Sequence, residues 1–310
     1  MQDKFIKQVQ EKIKKLGLKP SESVIAQKKE NQLYYRTDAL DNEKKKIFFK
    51  ASLSNDAQTI KSLANEVYIL KRISALKNGH HALLPNIIKS RVGKNFVWHT
   101  REFIEGENFG NWQTGFSPEI MKNLSLAKKL SLGIYYLQIH LLSTTDDKQL
   151  NSRKIEAVIK EIKNLSRNLL ESKIITQVQI EKIEKKVSNI KIQESFVFCH
   201  GNLEPKNILH NKGNAGLINW QDSIISNPAM DLASIWIYAI ENEKWQKCFI
   251  ESYLEFSSNQ TIVEQYLEIE KIYQILNILN RFNKESQIKT IKNGKKRFFN
   301  KLKKSLNTLI

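Results

Sequence analysis

The sequence feature that most constrains the fold is the stretch at residues 196–233, FVFCHGNLEPKNILHNKGNAGLINWQDSIISNPAMDLA. Short apolar runs alternate in this stretch with polar segments that are rich in Asn, Gly and Pro. Polar segments of this composition favour turns and loops, and the short apolar runs that they separate favour strands. The stretch therefore predicts a strand, a polar loop, a short hairpin, a strand, a second polar loop and a helix.

Three motifs in this stretch carry a family resemblance. They are His-Gly-Asn at 200–202 with Asn207 farther on, Ile-Asn-Trp at 218–220, and Asn-Pro-Ala-Met-Asp-Leu-Ala at 227–233. In spacing they resemble the His-Gly-Asp-x-x-x-x-Asn, Ile-Asp-Trp/Phe and Asp-Pro-x-x-Asp-Leu-Ala motifs of aminoglycoside phosphotransferases, choline kinases and related small-molecule kinases. In each motif an asparagine replaces an aspartate of the family. The resemblance covers most of the chain and is weakest at residues 1–20 and in the last thirty residues.

The resemblance implies an α/β (α+β) fold of the two-lobed, protein-kinase-like type, with an antiparallel sheet in a small N-lobe and a mainly helical C-lobe. The N-lobe is expected at residues 1–105, with an N-terminal helix, a five-stranded sheet and one further helix. The C-lobe is expected at residues 106–310, with the catalytic-type loop at residues 198–222.

Hydrophobic periodicity and short apolar runs predict the individual elements. Up to residue 105 they predict helices at 5–17 and 57–77 and strands at 23–27, 32–37, 46–52, 83–90 and 95–104. Beyond it they predict one long helix at 118–142, two amphipathic helices within 151–190, and helices near 230–241, 243–256, 260–280 and 284–308.

The resemblance also assigns nucleotide-binding residues. In a kinase site of this type, a lysine on a strand contacts the α- and β-phosphates and is held by a glutamate on a helix. These roles fall to Lys50, in an apolar strand, and to Glu66, sixteen residues later on a predicted helix. The hinge that would contact the nucleotide falls to the backbone of Glu102, Phe103 and Ile104.

The catalytic-type loop departs from the family at its most important position. Asn202 stands where the family has the aspartate that orients the acceptor hydroxyl and accepts its proton. An amide oxygen is not basic near neutral pH, and general-base catalysis is typically worth ~10²–10⁴-fold in rate. The resemblance gives His200 a structural role, and gives Asp231 the role of accepting backbone N–H groups of the neighbouring loop.

The expected metal site also lacks its carboxylate. Asn207 matches a metal-binding asparagine of the family, but Asn219 stands where the principal Mg²⁺ ligand, an aspartate, is expected. Mg²⁺ is usually held by one or two carboxylates together with phosphate oxygens. Two nearby acids, Glu204 and Asp222, are the alternative source of a carboxylate.

Composition disfavours several classes of protein. The net charge is +18, yet only eight of the 50 basic residues are Arg, the residue that reads bases and phosphates bidentately, so nucleic-acid binding is not expected. No apolar run approaches the ~20 residues needed to span a bilayer, and the polar start MQDKFIKQVQ shows no secretory signal. Because Cys199 and Cys248 form no disulfide framework, a cytoplasmic location is expected. Residues 280–310 stand apart, with ten basic residues and one acid.

Three functions remain open from the sequence. The first is a catalytically impaired pseudokinase that binds a nucleotide or small metabolite weakly. The second is an active ATP-dependent phosphotransferase with an atypical metal site, acting on a small-molecule alcohol. The third is an interaction protein that uses its basic C-terminal helices on an anionic partner. ATP and Mg²⁺ are the expected cofactors for an active enzyme; otherwise no cofactor or a weakly bound nucleotide is expected. The sequence determines neither the acceptor nor the oligomeric state.

Overall fold

The computed structural model describes residues 2–20, 25–29, 32–52, 56–76, 82–142, 150–188, 195–285 and 293–310. The chain forms two compact units. The first comprises Met1–Gly79, Leu83–Glu105 and Leu217–Ser223, and the second comprises His80–Ala82, Gly106–Gly216 and Ile224–Ile310.

One segment from the later part of the chain, Leu217–Ser223, clusters with the first unit. The side-chain amide of Asn65 explains this grouping, since it donates to the carbonyls of Gln221 at 3.1 Å and Ser223 at 3.0 Å.

The first unit is built on an antiparallel sheet. In chain order the elements up to residue 105 are α1 (Gln2–Lys15), β1 (Lys19–Pro20), β2 (Ile25–Lys29), β3 (Gln32–Leu40), β4 (Lys46–Ser52), α2 (Ala57–Ala75), β5 (Ala82–Leu83), β6 (Ile87–Val92) and β7 (Val97–Glu102). The sheet has the order β1-β3-β4-β7-β6, and β2 also pairs with β3. The five predicted strands are therefore present and are joined by the short β1. The predicted strand at 83–90 is wrong at its start, because Pro85 cannot donate a ladder hydrogen bond and β6 begins only at Ile87.

The two faces of this sheet bury different helices. On one face Phe49 and Trp98 pack in a cluster with Val9 and Ile13 of α1. On the other face Leu63 and Val67 of α2 pack with Tyr34 and Val97. Because neighbouring residues of a strand point to opposite faces, the residue after Phe49 on β4 points toward α2.

The second unit is mainly helical. Its elements are β8 (Glu107–Asn108), β9 (Gly110–Asn111), β10 (Gly115–Phe116), α3 (Pro118–Lys122), α4 (Leu124–Leu142), α5 (Ile155–Glu171), α6 (Gln177–Ser188), β11 (Val197–Cys199), β12 (Ile208–Asn211), β13 (Asn214–Leu217), β14 (Ile224–Ser226), α7 (Ala229–Tyr238), α8 (Glu243–Leu254), α9 (Gln260–Glu285) and α10 (Asn293–Leu309). The α/β fold class predicted from the sequence is confirmed: an antiparallel sheet lies in the N-terminal region and most of the remainder is helical.

Three predicted elements differ from the structure. The helix predicted at 118–142 is two helices, because Asn123 has extended backbone and its side chain caps α4 by accepting from the N–H of Leu126 at 2.9 Å. The helix predicted at 284–308 begins too early, since α9 continues to Glu285 and α10 begins at Asn293. The polar loop predicted before α7 contains a strand, β14, which pairs with β11. Predicted helix or strand residues at 23–24, 77, 189–190 and 286–292 lie outside the described residues.

No helix in the described part of the chain is long and apolar enough to cross a membrane.

The apolar face of α10 is part of the core of the second unit, because Phe298, Leu302 and Leu306 are all fully buried. We expect Leu302→Ala to lower the free energy of unfolding by about 2–5 kcal/mol, through lost apolar burial and the cavity that remains. Urea denaturation measures this change. Asn300→Ala on the exposed side of the same helix is the control and should change it by less than about 0.5 kcal/mol. Equal effects of the two substitutions would contradict the burial of this face.

Candidate functional site

Strand β4 and helix α2 bring Lys50 and Glu66 together inside the first unit. Lys50 follows Phe49 and therefore points to the α2 face of the sheet. Its Nζ donates to Glu66 Oε2 at 2.6 Å, and the two side chains are only 7% and 1% exposed. The two residues that the sequence singled out thus form a buried ion pair.

The ammonium group of Lys50 has two further acceptors in the same unit. It donates to Gln221 Oε1 at 2.7 Å and to Asn219 Oδ1 at 3.2 Å. A lysine ammonium has three N–H donors, so these contacts and the Glu66 contact use all of them. Sequence reasoning did not assign Gln221 a role, although its place directly after the Ile-Asn-Trp motif was a usable signal.

Burial and neighbouring charges shift the pKa values of Lys50, Glu66 and His99. Burial lowers the pKa of Lys50, and the charge of Glu66 opposes that shift. Burial alone would raise the pKa of Glu66, but the charge of Lys50 and the proximity of His99 outweigh it and hold this pKa below its ordinary value. Burial also lowers the pKa of His99, whose Nε2 lies 3.7 Å from Glu66 Oε2. The 2.6 Å contact has the geometry of an ammonium paired with a carboxylate, and the lowered pKa leaves His99 neutral at pH 7.

The backbone of the predicted hinge is partly occupied by protein hydrogen bonds. The N–H of Glu102 donates to the carbonyl of Asn86 at 2.9 Å, so it is not available to a ligand in this arrangement. The carbonyl of Glu102 accepts from the buried guanidinium of Arg101 at 2.9 Å. Phe103 and Ile104 are half-buried and follow the end of β7.

In the second unit, Asp231 holds the backbone of the catalytic-type loop. Its carboxylate accepts from the N–H of His200 at 2.7 Å and from that of Gly201 at 3.0 Å. Burial raises the pKa of Asp231 to about 6, although these hydrogen bonds act to lower it. Farther along the loop, Asn202 N–H donates to His200 Nδ1 at 3.3 Å and Asn207 Nδ2 donates to the carbonyl of Asn202 at 2.8 Å. The side chains of His200, Asn207 and Asp231 therefore all bond to the loop backbone.

The two acids that could replace the missing carboxylates have different surroundings. Glu204 accepts from Arg281 Nη1 at 2.7 Å and lies 2.9 Å from Lys206 Nζ, so its charge is neutralised by neighbours in the second unit. The guanidinium of Arg281 also lies 3.8 Å from the ring centroid of Trp112, which holds this ion pair in place. Asp222 lies in the first unit, one turn after Asn219, and is half-buried.

The residues present do not fit a Mg²⁺ site. Within the described ranges, no group of three or more His, Cys, Asp or Glu side chains could hold a metal ion. The Oδ1 of Asn219 already accepts from the Lys50 ammonium at 3.2 Å, so a cation at that oxygen would meet a like charge. Asn207, the other predicted ligand, is an uncharged amide whose Nδ2 is bonded to the loop.

Asn227, the third asparagine at which the resemblance leads us to expect an aspartate, bonds to a buried carboxylate. Asn227 Nδ2 donates to Glu270 Oε1 at 2.7 Å. Arg153 Nη1 lies 3.1 Å and 3.2 Å from the two oxygens of the same carboxylate, which is fully buried. An aspartate at 227 would place a second carboxylate against Glu270 and leave Arg153 to balance both. Sequence reasoning missed Glu270, because an acid within a long helix carries no local signal of such a partner.

We expect Asn227→Asp to lower the free energy of unfolding by about 2–3 kcal/mol, because it removes a hydrogen bond to a buried charge and adds like-charge repulsion. The repulsion would raise the folded-state pKa of the introduced aspartate above its unfolded value near ~3.9. The decrease in the free energy of unfolding, relative to the wild type, should therefore be small at acidic pH and grow as the pH rises through that folded-state pKa. Urea denaturation at several pH values measures it.

The control is the double variant Asn227→Asp with Glu270→Gln, which keeps one carboxylate and one amide in the cluster. It should be more stable than the sum of its single changes implies, with a coupling of about 0.5–3 kcal/mol. Simple additivity would mean that the Asn227–Glu270 contact does not determine the effect.

The chain is similar to known phosphotransferases and kinases in sequence and in fold. Residues 132–260 match the model of the phosphotransferase enzyme family. Among solved structures, a macrolide 2'-phosphotransferase type I is similar with a TM-score of 0.65 and 12% identity, over 97% of this chain and 96% of that one. An amicoumacin kinase, in a complex with AMP-PNP, Ca²⁺ and Ami, has a TM-score of 0.60 and 10% identity, over 97% and 93% of the two chains.

A choline kinase from Streptococcus pneumoniae is similar with a TM-score of 0.57 and 18% identity, over 97% of this chain and 98% of that one. A comparison with curated proteins found no match. At these identities the structural likeness establishes the fold. The expected family resemblance is confirmed: the chain resembles the phosphotransferase enzyme family in sequence over residues 132–260 and in fold over nearly its whole length.

Proposed function

We propose that this chain is a catalytically impaired member of the phosphotransferase family, a pseudokinase that binds a nucleotide or small metabolite weakly and without help from Mg²⁺. The observation that carries the proposal is the hydrogen bonding of Lys50. Its three N–H donors are used by Glu66, Gln221 and Asn219. A phosphate group would have to displace one of the two amides before Lys50 could contact it.

The missing carboxylates support the same conclusion. Phosphoryl transfer depends on positioning the phosphates and on neutralising the charge that develops on them, which metal ions usually do. Asn219 and Asn207 supply no negative charge to attract such an ion. Asn202 can donate and accept hydrogen bonds to an acceptor hydroxyl but cannot take its proton near neutral pH.

A second candidate is an active ATP-dependent phosphotransferase acting on a small-molecule alcohol. The observations that favour it are the Lys50–Glu66 ion pair, which an active site of this type requires, and the bonds by which Asp231 holds the loop backbone. It would need a carboxylate from another position, and Asp222 is the candidate in the first unit, since Arg281 and Lys206 neutralise Glu204.

The proposal includes a cytoplasmic location. Cys199 is buried, Cys248 is half-buried, and neither is in a disulfide. Free cysteines of this kind suit a reducing compartment.

We expect ATP to raise the melting temperature of the wild-type protein only slightly, and Mg²⁺ to add nothing, since a ligand stabilises in proportion to its occupancy. Thermal denaturation with ATP, with ATP and Mg²⁺, and with Mg²⁺ alone measures this. A large rise that requires both ATP and Mg²⁺ would contradict the proposal.

Two variants make this experiment specific for Lys50. Gln221→Ala removes one acceptor of the ammonium group, so a donor becomes available and ATP should stabilise this variant more than the wild type. Lys50→Met removes the ammonium and should abolish any stabilisation by ATP. If Gln221→Ala binds ATP no better than the wild type, the engagement of Lys50 by Gln221 is not what weakens binding.

A second experiment restores the aspartates separately. Asn219→Asp should make the effect of ATP on the melting temperature depend on Mg²⁺, because a carboxylate then faces the site of the expected metal. Asn202→Asp alone should leave that dependence unchanged, because its family role is in proton transfer. The double variant should gain Mg²⁺ dependence before it gains turnover.

Turnover by the unchanged protein decides between the two candidates. We expect no measurable phosphorylation of small alcohols with ATP and Mg²⁺. Rates in the ordinary kinase range of ~1–100 s⁻¹ would establish the second candidate and refute the first.

A further inference from the structure

Helix α10 differs from the other surface helices in its charge. Its sequence, NGKKRFFNKLKKSLNTL, contains six basic residues and no acid. In α5 and α6, by contrast, lysines alternate with glutamates. Arg297 of α10 pairs with Glu241 at 2.8 Å. Among the residues that the structure describes, no carboxylate forms an ion pair with Lys295, Lys296, Lys301, Lys303 or Lys304 of α10.

Three of the basic residues point away from the core because the apolar side of the helix is buried. Phe298, Leu302 and Leu306 are fully buried. Phe298 packs against the ring of Tyr238 at 6.3 Å. At 3.6 residues per turn this orientation turns Lys296, Lys301 and Lys304 outward, and all three are exposed. The result is a convex positive face, formed by Lys296, Lys301 and Lys304, that extends about 12 Å along the helix.

We propose that this face of α10, named here the α10 lysine face, docks the protein on the surface of a bilayer that contains anionic phospholipids. The apolar side of the helix is committed to the core, so the helix cannot insert into the acyl region as an interfacial amphipathic helix does. Binding is therefore electrostatic, and several lysines each contribute through attraction to the negative surface potential.

Three features of the α10 lysine face favour lipid headgroups over a nucleic acid. Its three residues, Lys296, Lys301 and Lys304, are all lysines, which act as point charges and lack the bidentate geometry with which arginine reads bases and phosphates. Its exposed positions carry no aromatic ring on which a base could stack, since Phe299 is half-buried and lies 5.6 Å from the ring of Phe282. The face is a convex helix rather than a groove. Headgroups that diffuse laterally can gather around separate point charges on such a surface.

The test is co-sedimentation of the full-length protein with phosphatidylcholine vesicles, with and without phosphatidylglycerol, at increasing NaCl concentration. We expect binding only to vesicles with phosphatidylglycerol, and loss of binding as salt screens the charges. The triple variant Lys296→Gln, Lys301→Gln, Lys304→Gln should bind about 100-fold more weakly, at about fivefold per lysine. Its melting temperature should remain that of the wild type, because these side chains are exposed.

A matched variant controls for net charge. Lys160→Gln, Lys163→Gln, Lys182→Gln removes three exposed lysines from α5 and α6 and should bind almost as the wild type does. Equal losses in the two triple variants would overturn the proposal, since binding would then follow net charge rather than this face. It is also overturned if no binding occurs at low salt, or if the α10 lysines hold RNA but not the vesicles. None of these outcomes depends on whether the protein is a kinase.

Discussion

The buried contact between Lys50 and Glu66 is the interaction on which the rest of the first unit is organised. An ammonium and a carboxylate that are almost fully removed from water are tolerated only if they are paired and their remaining hydrogen bonds are satisfied. Glu66 satisfies one donor of Lys50, and the amide oxygens of Gln221 and Asn219 satisfy the other two. The segment Leu217–Ser223 is thereby tied to β4 and α2, and Asn65 adds two further bonds to it.

Two of the asparagines that the sequence singled out, Asn219 and Asn227, have surroundings that suit amides. Asn219 accepts from an ammonium group, and Asn227 donates to the buried carboxylate of Glu270. A carboxylate at 227 would instead meet Glu270. At 219 it would add a negative charge beside Lys50 and Glu66 that the present cluster does not need. Asn219 and Asn227 thus each bond to a charged partner in their own unit.

Helix α10 shows how one element divides its residues between stability and surface chemistry. Its aromatic and aliphatic side chains complete the core of the second unit and contact Phe282 and Tyr238. Arg297 pairs with Glu241, but the lysines of the helix form no ion pair with the described residues. Removing a lysine from such a face changes its charge and leaves the core intact. For this reason surface binding and stability can be tested separately in this helix.

The sequence by itself predicted the five longer strands of the sheet, because apolar runs and turn residues are local properties of the chain, and its family resemblance implied the fold class and the pairing of Lys50 with Glu66. The resemblance also singled out Asn202, Asn219 and Asn227 as amides where a carboxylate is expected. Only the tertiary structure decided what those amides bind. Gln221 reaches Lys50 across 171 residues, and Glu270 reaches Asn227 across 43. Hydrogen bonds and charge pairs of this kind are formed by elements distant in sequence, so their partners follow from packing and not from any local pattern.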